Sequence, residues 1–225
     1  MLRNFRIETK YLFFILCFLF LAHVAGQFSV FYLEHETVFG LVPLFDLNQE
    51  QNFPTLYSTL ALLFCSTLFS IIAFARKRNK NNYILHWAGL AVLFLFLFVD
   101  DFVGIHELFT ARMRETLHTS GFLHYGWVIP YLVLVFAVFF AYIKFLLHLP
   151  RKTSWLFLTA GFIFAGGSIG FEMIIGYWVQ SGLRWSISAA VLIFLEESFE
   201  LIGVVVLIYA LLSYIKSEYK KLTIT

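Results

Sequence analysis

The stretch YILHWAGLAVLFLFLFVDDFVGIHE, residues 83–107, decides how this chain is read. Residues 83–99 are almost wholly apolar, and the next eight bring Asp100, Asp101, His106 and Glu107. A charged side chain at the centre of a bilayer costs about 2.5–3.5 kcal/mol on insertion scales. Acids closing a lipid-soluble run therefore point to a functional site.

Working outward, the same kind of run recurs. Six stretches are long and apolar enough to cross a bilayer: Tyr11–Tyr32, Leu56–Ala75, Tyr83–Ile105, Tyr125–Leu147, Trp155–Val179 and Ser186–Tyr214. The composition agrees, with 60% hydrophobic residues, 29 Phe and only 13% charged residues. That lies far from a soluble globular chain. No stretch outside the membrane could form a second domain, so residues 1–225 read as one all-α, six-helix membrane bundle. Cys17 and Cys65 both fall inside apolar runs, which excludes a disulfide framework or zinc-finger spacing.

The basic residues orient the bundle. One set of flanks holds Arg3, Arg6, Lys10, Arg76, Lys77, Arg78, Lys80, Lys144, Arg151, Lys152, Lys216, Lys220 and Lys221, and the other only Arg112, Arg114 and Arg184. This asymmetry puts both termini in the cytoplasm. Tyr125, Trp127, Trp178 and Trp185 serve as outer aromatic anchors, and Tyr83, Trp87, Trp155 and Tyr214 as inner ones. The basic start with Ala25 and Gly26 has some signal-peptide character, but the apolar run continues to Tyr32 and reads as a retained helix. Residues 33–55 form an acidic outer loop, and 105–124 an amphipathic lid along the membrane surface.

Two later segments carry acids at the depth of Asp100. Counting from the inner ends, Asp100, Glu172 and Glu197 each lie seventeen residues up, roughly 25 Å at 1.5 Å per residue. Glu196, Glu197 and Glu200 share one face of the sixth helix, and Asp100, Asp101, Gly104 and Glu107 share one on the third. His106 points away from that face unless the helix ends at Gly104. On the fifth helix, Ala165, Ser168 and Gly176 flank Glu172, and Gly161, Gly166 and Gly170 favour close approach of a neighbour. His23 and His86 read as packed, hydrogen-bonded residues, and His35, His118 and His124 as loop residues.

So many carboxylates in one layer need protons or cations. The sequence leaves three functions open. The first is a metal-dependent membrane enzyme acting on a lipid or lipid-linked substrate. Zinc, iron or manganese would be held by His106, Glu107, Glu172, Glu196, Glu197 and Glu200, with Asp100 or Asp101 as general base. The second is a proton- or cation-coupled transporter or channel component. The third is an accessory subunit whose acids pair with a partner or a second copy of the chain. Nothing points to nucleic acid.

Asp100-Asp101-x4-His106-Glu107, then Gly170-Phe171-Glu172, then Glu196-Glu197-x-x-Glu200-Leu201-x-Gly203, resembles a set of uncharacterised bacterial multi-pass membrane proteins. The likeness runs from the third to the sixth helix, with Asp101 where those proteins carry Glu. It implies a location in the inner (plasma) membrane. The chain is more faintly similar to the seven-helix membrane hydrolases that include alkaline ceramidases and adiponectin receptors. That likeness implies a zinc held by three histidines, whereas this chain has six runs and a carboxylate-rich set.

Overall fold

In a computed structural model, the chain is all-α. The structure describes residues 5–78, 83–183 and 186–222, and side chains within 9–218. Arg3, Lys80, Arg184 and Trp185, with the side chains of Arg6, Lys220 and Lys221, lie outside the described residues. The helices are α1 (Phe5–Leu33), α2 (Leu41–Phe45), α3 (Phe53–Arg78), α4 (Ile84–Val103), α5 (Ile105–Leu117), α6 (Val128–His148), α7 (Arg151–Ala165), α8 (Glu172–Gln180) and α9 (Ile187–Leu222). A π-helical turn, Gly166–Phe171, joins α7 to α8.

Five spans among the described residues are long and apolar enough to cross a membrane: Thr9–Leu33, Phe53–Arg78, Ile84–Val103, Val128–His148 and Arg151–Gln180. This is the pattern of a multi-pass membrane protein. In lipid only a helix satisfies its own backbone groups, which is why each apolar run takes this form. The sixth expected span corresponds to α9, which is not one of these five. It packs against α1, α3, α7, α8 and the π turn. Leu201, Val204, Ile208, Ala210 and Leu211 on α9 are all buried.

The junctions follow local chemistry. Proline has no N–H to donate, so Leu149-Pro150 stops α6 and Pro150 caps the start of α7. α4 and α3 run antiparallel, tied by the Ser66 hydroxyl donating to the Ala91 carbonyl at 2.7 Å. At the other end of α3, Arg76 donates to Glu218 at 2.7 Å and lies over the Tyr214 ring, which holds α9 to α3.

Three sequence expectations need correction. The third helix ends at Val103 rather than Ile105, because Gly104 takes the left-handed conformation (φ 71°) and returns its N–H to the Asp100 carbonyl. The fifth is not one regular helix but is interrupted by the π turn. Of its glycines, Gly161, Gly166 and Gly170 have nothing within 4 Å of a would-be Cβ, so they mediate no close approach. That contact belongs to Gly167 and to Gly203 on α9.

Candidate functional site

The site begins where α9 meets the π turn. A Cβ on Gly167 would lie 2.7 Å from the Phe199 Cβ and 3.0 Å from the Glu200 nitrogen. One on Gly203 would lie 2.8 Å from the Phe164 nitrogen. Two glycines facing backbone thus let the Arg151–Gln180 span and α9 touch along this level, as small residues do in membrane bundles. This contact brings the acids together. Ser168 in the π turn lies within interaction range of Glu200, and Glu172 just beyond it within range of Glu196. Such turns recur at functional positions because the widened backbone re-aims nearby side chains.

Glu196 is buried, and Glu197 and Glu200 are half-buried. The strongest charges acting on the three come from Glu172, Asp101, Asp46, each other and His106. The indole N–H of Trp127 donates to Glu172 at 3.4 Å.

The break at Gly104 builds the second half of the site. It brings the His106 N–H onto the Asp100 carboxylate at 2.8 Å and the imidazole Nδ1 to 3.4 Å from the same oxygen. Tyr131 approaches Asp100 from α6 without closing to hydrogen-bond distance. Asp101, half-buried, accepts a hydrogen bond from Ser58 on α3. Glu107, by contrast, is exposed: the shared face expected with Asp100 and Asp101 assumed a continuous helix, and the break at Gly104 turns it outward. It lines a pocket of about 180 Å³ with His106, Trp127 and Glu172.

Burial disfavours the charged imidazolium of His106, but the hydrogen bond and charge of Asp100, with the charges of Glu172 and Glu200, outweigh it. The pKa is held above 6.5. A pKa raised on folding stabilises fully below the unfolded value and loses that contribution as pH rises through the folded one. The melting-temperature gap between wild type and His106→Gln should therefore be widest below pH 6.5 and narrow on going alkaline. A gap that ignores pH would overturn the His106–Asp100 coupling.

His23 is buried, stacks on Phe194 and accepts the Leu47 N–H at 3.1 Å through Nδ1. Asp46 lies 3.4 Å from that same nitrogen, but the N–H already held there makes this proximity rather than an ion pair. His86 packs among Tyr83, Tyr142 and Phe145. His23 matches its expected packed, hydrogen-bonded role, and His86 the packing part of the same expectation. Ser58 and Tyr131 are site residues that charge-based reading passed over, while Ser168 and Trp127 were read only as a small neighbour of Glu172 and an aromatic anchor. The available signal was a hydroxyl or indole at the depth of the acids.

Among the described residues, no three His, Cys, Asp or Glu side chains converge as a group able to hold a metal ion. A family described as a domain of unknown function (DUF8692) matches residues 10–215. No curated protein and no solved structure matches the chain.

Proposed function

The chain belongs to the DUF8692 family, and from that premise we propose a six-crossing plasma-membrane protein whose acid layer takes up and passes protons, as a proton-coupled transporter or channel component. In this reading α9 is the sixth crossing and both termini face the cytoplasm. The observation that carries it is that Glu172 and Glu196 come within interaction range of each other across two packed helices. A carboxyl pair sharing a proton is the elementary unit of a proton relay, and intramembrane acids commonly mark such pathways. Glu200 and Asp101 extend the layer toward α3, while His106 beside Asp100 opens it toward the outer surface.

The test is proton flux in liposomes reconstituted with the full chain, read by an enclosed pH-sensitive dye under an imposed potassium diffusion potential. Glu196→Gln should lower the flux by about a hundredfold, the lower end of what a positioned proton carrier contributes. Glu115→Gln, an exposed acid on α5, should leave it unchanged. Flux in wild type no greater than in empty liposomes would sink the proposal.

A metal-dependent hydrolase acting on a lipid substrate is the second reading. The small pocket shared by His106, Glu107 and Glu172 is the observation in its favour. Near-stoichiometric zinc, iron or manganese in purified wild type, lost in Glu172→Gln, would move it to first place.

A further inference from the structure

A second and larger cleft, of about 530 Å³, opens beside the acid layer between the outer loop and the ends of α3 and α4. Leu44, Phe53, Leu56 and Phe102 supply its apolar walls, and Asp101 and Glu50 its charge. Among the described residues that line it, none is basic. The whole loop 33–55 has four acids and no lysine or arginine.

We propose that this cleft binds a lipophilic cation, an organic cation with an apolar body, with Asp101 as its counter-ion. The inference deepens the proton-coupled reading by naming a substrate class, and it rests on that reading for the cleft's place in the membrane. Concave, mostly apolar sites with a few placed polar groups are the usual form of a small-molecule site. Charge complementarity chooses among ligands. An anion would face the two carboxylates of Asp101 and Glu50. A neutral lipid would fill the walls and leave the carboxylate unmatched. Ser58 uses only part of what the Asp101 carboxylate can accept, since an ionised carboxyl has about four acceptor positions.

The walls fit the same class. Phe53 and Phe102 are 48% and 69% exposed, with Phe45 stacked on the one and Phe98 on the other, so part of each ring stays open to the cleft. Aromatic faces attract organic cations. A bare metal ion is a poor match, because the cleft is far larger than such an ion and its walls are largely carbon.

The probe is radiolabelled tetraphenylphosphonium, dialysed to equilibrium against the detergent-solubilised full chain. Tetraphenylborate, nearly the same shape with opposite charge, is the competitor. Saturable binding is expected, weakened about tenfold or more in Asp101→Asn, the equivalent of one lost charge contact, and kept within about threefold in Asp101→Glu. Leu56→Trp, which fills the cleft without touching the carboxylate, should also abolish it. It serves as the deciding variant if Asp101→Asn fails to fold. Equal affinity in Asp101→Asn, or displacement by tetraphenylborate, would mean hydrophobic partition and overturn the proposal. Glu196→Gln separates the two readings: it should bind the probe as wild type does while losing proton flux. Probe binding with no wild-type flux would sink the relay and leave the cleft.

Discussion

Gly203→Val should destabilise the protein by more than about 3 kcal/mol, beyond the usual range for overpacking a core, and abolish proton flux. The neighbours explain the size of the effect. A Cβ at 203 would sit 2.8 Å from the Phe164 nitrogen and 3.0 Å from its Cα, and backbone atoms cannot swing aside. The helices must separate, and they part where Ser168 meets Glu200 and Glu172 meets Glu196. Gly161→Ala is the contrast, with nothing within 4 Å. It should be tolerated, and could gain up to about 1 kcal/mol from helix propensity. Denaturant titration in mixed micelles measures both. Equal stability of Gly203→Val and wild type would show that α7 and α9 do not pack as described.

The second large effect is expected at Trp87, which is 1% exposed at the other end of the bundle. Its ring lies 4.9 Å from Phe145, nearly perpendicular, and 5.0 Å from Tyr214, nearly parallel, with Phe69 and Phe157 each at 6.1 Å. Trp87→Ala removes the shared member of these pairs and leaves a void among α3, α4, α6, α7 and α9. In soluble proteins the cost is about 3–5 kcal/mol. Here the lower end is expected, because helix association in lipid draws on packing rather than on escape from water. The same mixed-micelle titration reads it, and a loss below about 1 kcal/mol would mean the cavity collapses.

The helical architecture was legible because apolar run length has few alternatives in lipid. The grouping of acids was legible in part: the count that set Glu172 level with Glu197 named two segments whose acids do interact, Glu172 with Glu196 and Glu197. Rotation about the helix axis was read less well. The wheel on the third helix kept Glu107 beside Asp100 and sent His106 away, and the left-handed Gly104 reverses both. The sequence did flag Gly104 as the residue able to do this, but a glycine only permits such a conformation and does not require it. The close-packing glycines were misassigned for a related reason. Gly161, Gly166, Gly167 and Gly170 look alike in a string, and only three-dimensional packing selects Gly167. Ser58 carries no charge, so a search for acids passed over the hydroxyl that donates to Asp101.

The turn at Gly166–Phe171 has a consequence best put as phase. A regular helix advances about 100° per residue, so the additional residue of a π turn offsets everything after it by about that angle. Arg151 and Glu172 belong to one continuous span, yet they follow two different windings. Grouping Glu172 with Ala165 and Ser168 on a single wheel counted straight through the offset. The chain thus sets the facing of Glu172 independently of how α7 seats against Gly203, with one inserted residue separating the two settings.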